Sequence, residues 1–226
     1  MAKTIIIGGS RGIGSSILDL LIDKECINLS RSQQSPIHPN HKYINLDIAN
    51  SEFPEIENVK TLIYCPGTIN LKPFGSLNEE DFMNDLQINF LGAVKAIKYY
   101  FRTMKKQENA SIVLFSTVAV SQGMPFHASI ASAKGAIEGL TRSLAAEFAP
   151  KIRVNCIAPT LTNTPLAATI LRNDEAIEKS NNRHPLNKIN SVEDVSSMVS
   201  FLISDNARNI TGQILHVDGG LSTLKL

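Results

Sequence analysis

A β-branched run, Thr4 to Ile7, ends in Gly8-Gly9-Ser10-Arg11-Gly12-Ile13-Gly14, and a helical stretch follows with Ile17, Leu18 and Leu21 at 3.6-type spacing. Strand, tight glycine turn and helix in that order leave few architectures open. Glycines let the backbone bend sharply and come close to a ligand. The helix then begins with unpaired N–H groups and a partial positive charge at the turn. Such a corner suits a phosphate or pyrophosphate group. The plain alternative, a tight turn with no ligand, explains less of the pattern.

The rest of the chain repeats the strand–helix alternation. Cys26–Leu29, Tyr43–Leu46, Thr61–Cys65, Ser111–Phe115, Ile152–Ile157 and Gln213–Val217 read as further strands. Asn78 is a candidate N-cap, with Glu79, Glu80 and Asp81 in the first turn, where the helix dipole favours negative charge. Leu86, Phe90, Ala93 and Ile97 then line one face. Ala133, Ile137, Leu140 and Leu144 stripe another helix. Ser191-Val192-Glu193-Asp194 reads as a capping box before Val195, Met198, Val199 and Leu202. Pro36 and Pro39 fall among polar residues between Ser30 and Tyr43, so the crossover helix is expected to be lost or reduced there. Alternating elements predict a single α/β domain over residues 1–226, a doubly wound parallel sheet with helices on both faces. Residues from about 160 to 190 have weak periodicity and leave the C-terminal end of a strand, where a ligand lid sits.

Bulk properties exclude several classes. The length of 226 residues suits one domain, and 43% hydrophobic residues suffice for a core. A formal net charge of +1 gives no electrostatic case for nucleic acid or an anionic membrane. A strand entered by Thr4 leaves no room for a signal peptide, so a cytoplasmic location is expected. Cys26, Cys65 and Cys156 lack metal or disulfide spacing and read as small buried hydrophobes.

Several motifs in fixed order resemble the short-chain dehydrogenase/reductase family. The glycine turn has that family's spacing. Asp47-Ile48 follows the third strand, where the family packs an acidic residue near adenine. Cys65-Pro66-Gly67 keeps only the glycine of its Asn-Asn-Ala-Gly segment. Ile88-Asn89-Phe90, the strand Ile112–Phe115 followed by Ser116-Thr117, Lys134-Gly135, Arg153-Val154-Asn155 with Pro159, and Val217-Asp218-Gly219-Gly220 follow in register. The resemblance implies a Rossmann fold with a seven-stranded sheet, and assembly as a homodimer or homotetramer through the long helices starting near Asn78 and Ser129.

It also implies a nicotinamide cofactor held by Gly8, Ser10, Arg11, Gly12, Ile13 and Gly14 at the turn. Ser30, Arg31, Asp47 and Ile48 fall on the adenosine side, and Gly67, Asn89, Lys134, Pro159, Thr162 and Thr164 on the nicotinamide side. An acidic residue at the end of the second strand would bond the ribose hydroxyls of NAD. Ser30-Arg31 stands there instead, with Arg11 nearby. Guanidinium groups form bidentate, charge-assisted bonds to phosphate, so NADP is the expected cofactor.

In the family's reaction a hydride moves between nicotinamide C4 and a carbonyl carbon while a tyrosine delivers the proton. By position Asn89 and Lys134 are kept, and Thr117 supplies the hydroxyl of the serine slot, with Ser116 beside it. The tyrosine slot, four residues before Lys134, holds Ile130. Tyr43, Tyr64, Tyr99 and Tyr100 lie elsewhere in the chain, and His127 and Ser129 just precede the lysine helix. Losing a positioned general acid typically costs about a hundred- to ten-thousand-fold in rate. Two readings follow. One is an NADP(H)-dependent oxidoreductase acting on a small carbonyl, alcohol, conjugated C=C or imine substrate with a non-standard proton donor. The other is a weak or inactive NADP-binding sensor or scaffold.

Overall fold

Strands buried on both faces must be apolar almost throughout, and the centre of the sheet has that character. The computed structural model describes residues 2–33 and 38–225. Its strands are β1 (Lys3–Ile7), β2 (Cys26–Ser30), β3 (His41–Asn45), β4 (Val59–Tyr64), β5 (Ala110–Phe115), β6 (Ile152–Pro159) and β7 (Ile214–Val217). All pair in parallel, in the order β3-β2-β1-β4-β5-β6-β7. Every residue of β5 is buried, whereas the edge strands β3 and β7 are mostly half-exposed.

Alternation along each strand splits the core in two. Ile5, Ile7, Ile112 and Leu114 join one cluster. Helix α3 (Gly92–Met104) adds Ala96, Ile97 and Tyr100 to it, and α4 (Ala128–Phe148) adds Ile137 and Phe148. Ile6, Val113 and Phe115 point the other way, onto α1 (Gly12–Leu20) and α6 (Val192–Ile203). The chain winds outward from β1 in both directions, so a crevice opens at the C-terminal ends of β1 and β4.

Both capping expectations hold. Asn78 and Asp81 bond each other's backbone at the start of α2 (Glu79–Leu86), and Ser191 and Asp194 do the same for α6.

Two expectations change. The helix expected beyond Asn78 is not uniform, because α2 passes into α3 through a π turn, Gln87–Leu91, that contains Asn89. In consequence Asp85 and Asn89 are the buried positions there, and Leu86 and Phe90 are only partly so. Residues 160–190, expected to form a lid, are not a bare loop. They carry a short 3-10 turn, Pro165–Ala167, and a helix α5 (Asp174–Asn181) capped by Asn173. Between β2 and β3, residues 31–33 and 38–40 are not helical, while the remainder of that expected irregular crossover, with Pro36, lies outside the described residues. No helix among the described residues is long and apolar enough to cross a membrane.

Candidate active site

The glycine turn is fixed by close approach. A Cβ on Gly14 would lie 2.3 Å from the Gly8 carbonyl oxygen, so no other residue fits. Gly12 has φ of 57°, which L side chains rarely adopt, and a Cβ there would meet Thr164 of the lid at 3.3 Å. Helix α1 starts after Arg11 with no side-chain cap, which leaves its first N–H groups directed at the turn. Asn28, a buried polar residue within β2, accepts the Gly9 N–H at 3.1 Å and so ties the turn to the sheet.

The adenosine side differs from expectation at one residue. Ser30 is buried, and its hydroxyl donates to Asn28 Oδ1. It therefore supports the turn from beneath and does not offer its proton to a phosphate. Two residues on, the exposed Ser32 donates from Oγ to the half-buried Ser10 Oγ at 3.2 Å. Arg11 and Arg31 are exposed, and neither forms a salt bridge among the described residues. Asp47 holds the turn after β3. The Ala49 N–H and the Asn50 amide keep its carboxyl below the usual range, with Arg31 adding attraction. Ile48 packs onto the core beside it.

Lys134, Asn89 and Gly67 converge at the end of β4. From a Cβ on Gly67, Asn89 Oδ1 would lie at 3.4 Å and Lys134 Nζ at 3.7 Å. Lys134 is buried and donates to the Phe115 carbonyl at 3.0 Å. Burial pulls its ammonium down from 10.5 to about 8, against the attraction of Cys156, Cys65 and Asp85. Burial also pushes both thiols up to about 12.

The π turn lets Asn89 reach back, its Nδ2 donating to Asp85 O at 2.8 Å and to Thr68 Oγ1 at 2.7 Å. Thr68 Oγ1 in turn donates to Asp85 Oδ1 at 2.5 Å. Asp85 Oδ2 is buried with no partner among the described residues. Neither Asp85 nor Thr68 was among the sequence candidates, although Asp85 sits four residues before Asn89, on the same helix face.

A cavity of about 270 Å³ opens from this point. Ile69, Leu71, Met124, Leu161 and Ile170 make it largely apolar, and Ile13, Pro159, Thr162 and Thr164 also reach its wall. The Thr162 hydroxyl is directed to the Thr160 carbonyl at 3.0 Å. Thr117 lines the cavity and accepts the Ala119 N–H at 3.3 Å, while its own O–H donates to no described residue. Ser116 also borders the space, but its hydroxyl donates to the buried Glu138 at 2.8 Å. Ile130 is 6% exposed and forms the wall one turn before Lys134.

No tyrosine lines this cavity. Tyr64 donates to Ile88 O at 2.5 Å, and burial raises its phenol. Tyr100 donates to Pro54 O at 2.9 Å, Tyr43 accepts from Asn45, and Tyr99 is exposed. His127 is half-buried in the cavity wall, and Ser129 is buried with its hydroxyl unpartnered among the described residues.

Known proteins share this fold. Residues 49–222 match the family model described as Enoyl-(Acyl carrier protein) reductase. A tropinone reductase homolog of Datura stramonium is 31% identical, over 96% of this chain and 90% of its own. The 3-oxoacyl-(acyl-carrier-protein) reductase of Bos taurus is 29% identical over 96% of both chains. Among solved structures, the aldohexose dehydrogenase of Thermoplasma acidophilum is 26% identical and superimposes with a TM-score of 0.88, covering 99% of this chain and 96% of that one. ElxO with NADP bound is also 26% identical, with a TM-score of 0.88, covering 99% of this chain and all of the other. A tyrosine-to-phenylalanine variant of ElxO has been solved with NADPH bound. The chain belongs to the short-chain dehydrogenase/reductase family of oxidoreductases.

Proposed function

We propose that the protein is an NADP(H)-dependent oxidoreductase that moves a hydride between nicotinamide and a small, largely apolar carbonyl, alcohol, conjugated C=C or imine compound. The observation that carries this reading is the meeting of Lys134, Asn89 and Gly67 beside a cavity lined by Gly67, Lys134 and Thr117. The cofactor fits the residues present, because the Gly8–Gly14 cradle would be filled by any Cβ at Gly14.

In this reading the N–H groups of α1 and the turn hold the pyrophosphate. Arg11, Arg31, Ser10 and Ser32 hold the 2′-phosphate, and Lys134, with Asn89 beside it, orients the nicotinamide ribose. The nicotinamide supplies or accepts the hydride. Thr117 donates a hydrogen bond to the substrate oxygen, and the apolar walls exclude water. Ile130 occupies the family's tyrosine position, so the proton comes from another group.

Two measurements test this. Wild-type protein should consume NADPH with members of a carbonyl panel far faster than Lys134→Ala. Equal rates across the panel contradict the reading. Replacing Arg11 and Arg31 with alanine should weaken NADPH binding by about ten- to a hundredfold in calorimetry, the scale of one or two lost charge-assisted bonds, with little change for NADH. An unchanged NADPH-to-NADH preference counts against NADP. Ile130 also favours a second reading, an NADP-holding sensor or scaffold, which predicts tight NADPH binding and no turnover.

A further inference from the structure

Helix α4 has an irregular entry that sets one side chain. Phe126 adopts φ of 69°, a left-handed conformation uncommon outside glycine, and its ring is 54% exposed. Its carbonyl accepts the Lys72 N–H at 3.2 Å. The next residue, His127, stands at the N-cap with Nδ1 2.7 Å from the Pro125 carbonyl oxygen. A carbonyl only accepts, so Nδ1 carries a hydrogen, and Nε2 has no partner among the described residues. His127, Ile130 and Lys134 are spaced i, i+3 and i+7, and so share one face of α4. All three line the cavity.

The other titratable groups of that wall are committed. Burial pushes the Cys65 thiol up to about 12. Lys134 donates to Phe115 O. His184 uses Nε2 on Thr160 Oγ1 and Nδ1 on Ser180 O, both at 2.8 Å. Arg183 is a donor-only guanidinium. Lys72, from the segment packed on the helix entry, is ion-paired with Asp81 at 2.6 Å.

We infer that His127 protonates the substrate oxygen, doing from one turn earlier on α4 what the residue at position 130 cannot. The inference rests on the oxidoreductase reading. As the carbonyl carbon takes the hydride of NADPH, the π-bond pair moves to oxygen. The His127 Nε2–H bond breaks and an O–H bond forms. NADPH leaves as NADP⁺, and the neutral imidazole regains its proton from solvent. Because Nδ1 keeps its own hydrogen, the donor form is the imidazolium. Reduction therefore slows with rising pH, and alcohol oxidation, which needs the neutral ring, speeds up.

The test uses wild type and His127→Asn with NADPH and a reducible panel compound, across pH of about 5 to 9, where imidazole ordinarily titrates. The variant should lose about a hundred- to ten-thousand-fold in kcat together with the descending alkaline limb, while calorimetry gives an unchanged NADPH affinity. Independently, ¹⁵N NMR of the cofactor-free protein should find neutral His127 in its Nδ1–H tautomer. A variant as fast as wild type with the same pH profile, or an Nε2–H tautomer, overturns the inference and leaves the oxidoreductase reading intact. Absence of hydride transfer by wild type overturns both.

Discussion

Lys134 is held where a charge is costly, and the sign of its effect on stability is fixed. In the unfolded chain its amine titrates near 10.5, and in the folded, cofactor-free protein near 8. Between those values the unfolded state binds the extra proton, so stability rises with pH. The thiols of Cys26, Cys65 and Cys156, pushed from 9.0 up to about 12 by burial, act in the opposite sense as pH approaches and passes 9.0. Their contribution is common to wild type and Lys134→Met, so the difference between the two proteins isolates the amine. In denaturant unfolding without cofactor that difference should shift by about 1 kcal/mol in favour of wild type between pH 8 and 9. A difference that does not change with pH contradicts the burial of this amine. At the same scale, Ser30 marks a limit of sequence reading. A hydroxyl beside an arginine reads as a phosphate ligand, but the pleat turns it inward onto Asn28, and Ser32, two residues on, is exposed instead. Asn28 itself was legible as a polar residue in an apolar strand.

At the scale of elements, two devices position the site, and neither leaves a clear periodic trace. The π turn adds a residue to the helix and directs Asp85 and Asn89 inward, whereas Leu86, Phe90, Ala93 and Ile97 fit an unbroken helix equally well. Helix α5 reads Asp-Glu-Ala-Ile-Glu-Lys-Ser-Asn, too polar for an apolar stripe to reveal it. It is fastened from below, because His184 links the Ser180 carbonyl to Thr160 at the end of β6. Removing that link should loosen the substrate wall and spare the cofactor cradle. His184→Ala is expected to raise KM by about tenfold, the worth of one or two hydrogen bonds, with NADPH affinity unchanged. Unaltered KM would detach the lid from substrate binding. The N-cap at Asn78 and the capping box at Ser191 were readable because side-chain and backbone groups a few residues apart suffice to form them.

For the whole molecule, the sheet order brings four candidate segments to the C-terminal ends of neighbouring strands. The glycine turn ends β1, Gly67 follows β4, Thr117 follows β5 and the lid follows β6. This much follows from local rules, since parallel strands demand apolar runs and tight corners demand glycine. The path of the proton does not follow from them. It depends on how Phe126 turns the chain, how His127 is tethered to Pro125, and what Ile130 leaves empty between His127 and Lys134.

The central claim is that hydride transfer survives at a site with isoleucine at position 130. NADPH carrying deuterium at the transferable C4 position tests it directly, with product mass read after incubation with the carbonyl panel. One deuterium per product molecule is predicted for wild type. Tight NADPH binding with no deuterium in any product would contradict it.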